Sequence, residues 1–542
     1  MEVCIIMISN IDLDKRSIKK RIAGKGSKKS IYTMTLISDV LNLDEVKIVA
    51  QRLNREYSST RGHPAFDRLM LIGVELFCRS KKISTYTGIA DELMDNSVLI
   101  AFVDDNPPKY TVISTFMKAI NEVWIKHIFY RHLVLANEYD PLNFDKVFID
   151  GTDVIANASI NYTINQKQVN ATRLLYQFDI LHDGSPEGIE TTITALKEKL
   201  IEYQQYQGIC DLIKIALKRP QIYTYLTYER LERIQKSLDE TGAKSVSISF
   251  PEGIILKTKR GKFDIGFNLQ MLMLSNHFVL AGYLLREPND EDVIDFILNQ
   301  LKIDIQIFLS LMKKYDPENE KINELENLLD RVTFICDSGY FTDSNIEACI
   351  IEGVELIVMS KQVARQENNK KRENWYRKIC DIKNHKSDKV TKYLCIRVED
   401  GYLCPFNRLI KKVREYKTKS KYNDKNRADE SLYEFCFIHE CEDCTGCPYV
   451  TKYGKKCDCA RIDDRVSKRK YELTTQFVKG EYKDIYKDRL PISERINAFL
   501  KGLNGIYHVK GRDYHSAQIQ IILACLWNNM VHLERIKDTY HW

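Results

Sequence analysis

Two short apolar runs constrain this chain more than any other feature. Lys146-Val147-Phe148-Ile149-Asp150-Gly151 and Val332-Thr333-Phe334-Ile335-Cys336-Asp337-Ser338-Gly339 each close on an aspartate with a glycine behind it. An apolar run of this length, bounded by turn residues, reads as a central strand buried on both faces. Around them the texture alternates. Phe263–Leu274 and 278–285 read as strands joined by a Ser275-Asn276-His277 turn, 290–312 and Asp343–Ile351 as amphipathic helices, and 354–359 as a further strand. The expectation is an α/β sheet that delivers Asp150 and Asp337 at its carboxyl edge, where such sheets place ligand groups. Either aspartate alone is most simply a turn residue or a helix cap. Together they offer carboxylates from different elements, which two Mg2+ ions roughly 3.5–4 Å apart require. Asp153 competes for the first position, but three residues along a strand put it on the opposite face from Asp150.

A third acid is expected from a helix further on. Ile492, Ile496, Phe499, Leu500 and Leu503 form an apolar stripe, with Glu494 in its first turns and Lys501 nearly two turns later on the same face. Such a pair is commonly a plain surface ion pair, and a metal-binding acid beside a phosphate-gripping lysine looks the same.

Charge is uneven along the 542 residues. Lys plus Arg number 81 against 75 Asp plus Glu, for a net +6, yet residues 361–430 alone carry +11 and leave −5 on the remainder. A second basic run holds Lys15, Arg16, Lys19, Lys20, Arg21, Lys25, Lys28 and Lys29. Charge runs are usually solvated faces, but two of them flanking an acidic chain suit a polyanion partner. Residues 1–39 read as a basic arm, mobile over 1–30. Residues 40–140 read as helical, broken at Asn106-Pro107-Pro108, with Ser114 or Thr115 as a cap for the next helix. The pattern suits a helix-turn-helix reader of DNA and a plain helical packing domain equally well. Residues 191–245 read as a helical insertion.

The order of several motifs resembles that of bacterial insertion-sequence DDE transposases. Phe148-Ile149-Asp150-Gly151-Thr152 with Ile155-Ala156-Asn157-Ala158 resembles the first-aspartate motif of that family, and Cys336-Asp337-Ser338-Gly339-Tyr340 the second. Phe250-Pro251-Glu252-Gly253 through Gly266-Phe267-Asn268-Leu269-Gln270 resembles the stretch before its central strands. Tyr486, Arg489, Glu494 and Lys501 resemble its Tyr–Arg–Glu–Lys signature, with four residues instead of three between Arg489 and Glu494. The resemblance implies a ribonuclease H-like α/β core, a mixed five-stranded sheet flanked by helices. It divides the chain into core segments 141–360 and 476–542, an all-α domain at 40–140 that binds transposon ends, and a Cys-rich insertion at 361–475. It further implies that Asp150, Asp337 and Glu494 bind two Mg2+ or Mn2+ ions, and that Tyr486, Arg489 and Lys501 hold DNA. The implied activity is cleavage at terminal inverted repeats of double-stranded DNA and strand transfer into target DNA by a homodimer in a synaptic complex. A metal-dependent nuclease without strand transfer and a catalytically inactive DNA-binding relative are the alternatives.

The insertion has its own signal. Cys436-x4-Cys441-x2-Cys444-x2-Cys447 precedes Cys457-x-Cys459, with Cys404-Pro405 upstream. Thiolates two residues apart on a turn can share one tetrahedral Zn2+, so Cys441, Cys444, Cys447 and Cys457 are expected to hold a structural zinc. Trp375-Tyr376 stands between Lys370-Lys371-Arg372 and Arg377-Lys378; Trp375 is a candidate for stacking on an unpaired base, and more simply a packing residue. Fifteen spread cysteines, the absence of a basic leader, and no apolar run approaching the roughly 18–20 residues of a membrane span lead us to expect a cytoplasmic protein without membrane contact.

Overall fold

The computed structural model describes residues 13–56, 66–224, 226–257, 261–367, 377–378, 380, 392–418, 430–503 and 507–540. Its first part is helical from Lys15–Ile22 through Glu122–Tyr139. Local chemistry sets the helix starts: Asp14, Ser27, Asp67, Thr85 and Asn96 each accept backbone N–H groups that the first turn would otherwise leave unpaired. Two expectations need correction here. The described part of the basic arm is two helices, Lys15–Ile22 and Lys28–Leu41, whose Ile18, Ile22, Met34 and Ile37 are buried. An apolar stripe runs beneath the basic residues and anchors them. Nor do Ser114 and Thr115 cap a helix; Lys109, directly after Pro107-Pro108, is extended, and the helix begins at once as Tyr110–Ala119.

The central sheet comprises β1 (Lys146–Ile155), β2 (Ile254–Lys257), β3 (Phe263–Leu274), β4 (Val279–Leu285), β5 (Thr333–Cys336) and β6 (Glu355–Val358). Its path runs β2-β3-β1-β5-β6, with β4 also paired to β3. The pairs β1–β5 and β5–β6 are parallel, whereas β3 runs against β1, β2 and β4. β3 is long enough for β2 to cover the outer edge of its first residues and β4 the rest. The hairpin turn falls at Ser275-Asn276-His277 as read, with His277 at φ 68°.

The final helix, Tyr514–Tyr540, packs on β4 and on helix Glu122–Tyr139, joining the helical domain and the sheet in one core. Its polar residues are placed with purpose. Gln518 bonds both ways with Gly282 O and Leu284 N, and Asn529 does the same with Val279, at 2.7–2.9 Å. Two side chains thus satisfy backbone groups of β4 that a sheet edge leaves unpaired. A buried charge cluster closes the same junction: Glu75 accepts from Arg79 at 2.9 Å and also meets Lys510, and all three are at most 4% exposed.

Two further units project from this core. Helices Gln166–Gln177, Pro186–Glu202, Gln207–Lys218 and Tyr228–Thr241 share a small core of their own, so the helical insertion begins before residue 191. Its ends are held together by two-residue strands at Thr163–Ile164 and Val246–Ser247. The described part of the Cys-rich insertion is a five-stranded antiparallel sheet of β7 (Ile396–Val398), β8 (Gly401–Leu403), β9 (Leu409–Lys417), β10 (Glu434–Cys441) and β11 (Arg461–Ser467). No helix among the described residues is long and apolar enough to cross a membrane.

Candidate active site

Strand register sets the first two residues of the site. Ile149 of β1 lies opposite Cys336 of β5 in parallel pairing. The next residue of each chain segment is therefore an aspartate, and Asp150 and Asp337 arrive side by side; only Asp337 is at a strand end, because β1 runs on past Asp150 to Ile155, paired with β3. β5 stops there. Asp337 turns extended and caps a short 3-10 turn, Ser338–Tyr340, accepting from Gly339 N at 2.6 Å.

The helix Arg489–Ala498 reaches Asp150 from the C-terminal part of the chain. Asn497 donates to Asp150 Oδ2 at 2.7 Å, and Arg489 Nη1 stands 3.5 Å from Oδ1. These residues are eight apart, so Ser493, midway between them, lies on the same helix face. Ser493 is 2% exposed, and neither its Oγ nor Asn497 Oδ1 has a hydrogen-bond partner among the described residues. Burial, reinforced by the charges of Asp337 and Asp290, pushes the Asp150 carboxyl up to about 6 despite the nearby Arg489 guanidinium.

Glu494 is placed differently. One residue beyond Ser493 is about 100° around the helix, and Glu494 is exposed. No hydrogen bond or ion pair among the described residues ties it to the neighbourhood of Asp150 and Asp337. Tyr486 belongs to the preceding short helix, packs edge-on against Phe477 with ring centroids 5.1 Å apart, and lies under the Arg489 guanidinium. Lys501 sits in a π-helical turn, Phe499–Leu503, with Nζ 5.7 Å from the Tyr507 ring centroid. The structure thus gathers Asp150, Asp337, Arg489 and Tyr486, and leaves Glu494 facing solvent. Trp375 lies outside the described residues.

A carboxylate that the sequence reading missed completes the neighbourhood. Asp290 precedes the helix Ile294–Tyr315, and its Oδ1 accepts from Asn268 at 2.9 Å and from Gln270 at 2.7 Å. Gln270 is itself held by the Tyr340 hydroxyl. A Cβ on Gly151 would come 2.3 Å from Asp290 Oδ1, and one on Gly339 would come 2.8 Å from Asp337 Oδ1 and 3.2 Å from Asp290 Oδ2. Both motif glycines are therefore small because a second carboxylate approaches. Gly151 and Gln270 are register partners, so Asp290 arrives on the face of β1 opposite Asp150 and meets Asp337 where β5 ends. Asp153 shares that face, as its spacing required, and its charge joins burial and Asp337 in raising the Asp290 carboxyl. The visible signal was the pair Asn268 and Gln270, alternate polar residues in an otherwise apolar strand.

The donor chemistry suits a hard divalent ion, being carboxylate, amide and hydroxyl oxygen. As they stand, no three His, Cys, Asp or Glu side chains among the described residues converge as ligands for one ion. In the small sheet, Cys395, Cys404, Cys447 and Cys459 are buried in one core with Cys441 and Cys457 packed against it, while Cys436 points elsewhere.

Residues 23–119 match the family model described as Transposase domain (DUF772). The match spans most of the helical domain, begins inside the basic arm, and ends before the sheet. It supports a transposase role for this chain, with DNA as the partner. No curated protein and no solved structure matches the chain.

Proposed function

We propose that this protein is a DNA transposase with a ribonuclease H-like core, which cuts double-stranded DNA at transposon ends and joins the freed 3′ ends to target DNA. The observation that carries the reading is the side-by-side arrival of Asp150 and Asp337 from two parallel neighbouring strands. The sheet order supports it, with β3 alone running against its neighbours, and so does the transposase-domain match at 23–119.

Asp150, Asp337 and Glu494 would hold two Mg2+ or Mn2+ ions. Such ions, when bound, lower the pKa of an attacking water or 3′ hydroxyl and stabilise the leaving oxygen. The chain's own part is positioning. Asn497 fixes one oxygen of Asp150. Arg489, stacked on Tyr486, offers a guanidinium that can pass from Asp150 to a phosphate. Lys501 adds a second cation on the same segment. Basic surfaces supply most of the affinity, so binding falls steeply with salt. Two ends must be cut together, which calls for a homodimer in the synaptic complex, acting in the cytoplasm on the cell's own DNA.

The exposed placement of Glu494 favours one other reading, a DNA-binding relative without chemistry. A cleavage and strand-transfer assay on DNA from the borders of the element, with Mg2+ or Mn2+, separates them. The proposal expects joined products from wild type, and none from Asp337→Ala or Glu494→Ala despite retained DNA binding. Nicks without joining would indicate a nuclease, and binding without nicks the inactive relative.

A further inference from the structure

The sheet β7–β11 has an unusual core. Four of its nine buried members are cysteines, and Leu394, Tyr402, Ile410, Tyr449 and Ile462 are the remaining five. The sheet also buries Phe437 and Ile438, with Tyr471 stacked on Phe437, but the thiols crowd into one part of it, the situation in which small units take a metal or a covalent staple.

The backbone shows how the thiols are brought together. Cys404 begins a tight turn, with Asn407 N donating to Cys404 O at 2.9 Å and Asn407 at φ 60°. Cys447 closes a second turn by donating to Cys444 O at 3.2 Å, with Gly446 at φ 69°. Cys457 opens a third, where Ala460 N donates to Cys457 O at 2.9 Å. These turns are stitched to one another. Glu442 N donates to Leu409 O, Arg408 Nη2 reaches Gly446 O at 3.4 Å, and Cys441 N donates to Ala460 O at 2.8 Å. Three cysteine-bearing turns thus close on one small core.

We propose that these three turns form a single metal–thiolate site for a zinc-class ion, with Cys404, Cys447, Cys457 and Cys459 as ligands. Cys404, Cys447 and Cys459 are the buried thiols contributed by the turns, and Cys457 packs against them. Cys441 and Cys444 are only partly buried, and Cys395, though buried in the same core, lies outside the three turns. This moves the ligand set away from the Cys441, Cys444, Cys447 and Cys457 expected from spacing. Cys436 is excluded because it lies an odd number of positions before Cys441 along β10, which puts the two on opposite faces. As they stand the four thiols do not converge as ligands for one ion; on binding, each would release its proton to solvent while the stitched turns draw their thiolates together about the ion. The site stands independently of the transposase reading.

The test is metal content and spectroscopy of the full chain purified under reducing conditions. About one zinc per chain is expected, and Co2+ in its place should show thiolate charge-transfer and tetrahedral d–d bands. Cys404→Ser and Cys459→Ser should each weaken Co2+ binding at least ~10-fold, with Cys436→Ser unchanged. Alkylation mapping of wild type with and without chelator needs no variant: the ion should protect 404, 447, 457 and 459. Absence of both zinc and Co2+ uptake overturns the site, as does finding these cysteines in disulfides. Protection of 441 and 444 with 404 and 459 left reactive overturns the ligand assignment.

Discussion

The two sheets of this protein solve the same problem by opposite means. The central sheet buries Phe148, Ile149, Phe267, Met271, Phe334 and Ile335 within one continuous core shared with the helical domain and the last helix. Its two candidate site aspartates, Asp150 and Asp337, stand side by side where β5 stops. The insertion sheet buries thiols instead, and its long strand β9 is exposed from Lys411 to Tyr416. In the first sheet an ion would serve chemistry and add little to folding. In the second an ion would be part of the fold.

Chelation should break that symmetry most sharply. Stripping thiol-bound metal is expected to abolish the cooperative melting of the insertion while leaving the main transition in place; two-wavelength thermal melts would read it, and a single unchanged transition would count against the contrast. Next in size is the junction of the main core. Lys510→Met leaves Glu75 with Arg79 alone in a fully buried cluster, so a loss of about 3 kcal/mol is expected from denaturant titration. A loss below about 1 kcal/mol would mean that water reaches the cluster.

The smallest effect concerns Asp150. Its carboxyl is raised to about 6 from an ordinary 3.8, so the folded state holds the proton more tightly than the unfolded chain does. Stability from this group therefore falls as pH rises from about 4 to 6, and the penalty persists above. Asp150→Asn should stabilise the ion-free protein at pH 8 by on the order of 2 kcal/mol and leave it unchanged at pH 4. Destabilisation at pH 8 would show that Arg489 outweighs burial.

Much of this arrangement was legible in the residues. The runs carrying Asp150 and Asp337 are strands, although the first continues to Ile155; the 275–277 turn is where it was placed, and Asp343–Ile351 matches its helix. The misses share a cause, in that long-range contacts decide what local pattern leaves open. Asn528 and Asn529 interrupt the apolar run 521–527, yet the helix continues through them because Asn529 bonds to β4. Asp290 read as the start of a helix, and only the fold brings it within reach of Gly151 and Gly339. Cysteine spacing pointed to neighbours in sequence, whereas the small sheet folds Cys404 onto Cys447 and Cys459.

The most direct test of the central claim is metal-switched cleavage by Asp337→Cys. If Asp337 touches the catalytic ion, the thiolate should support cleavage of element-end DNA with Mn2+ and fail with Mg2+, because a softer ligand suits the softer ion. Wild-type activity with Mg2+ in this variant would contradict the account.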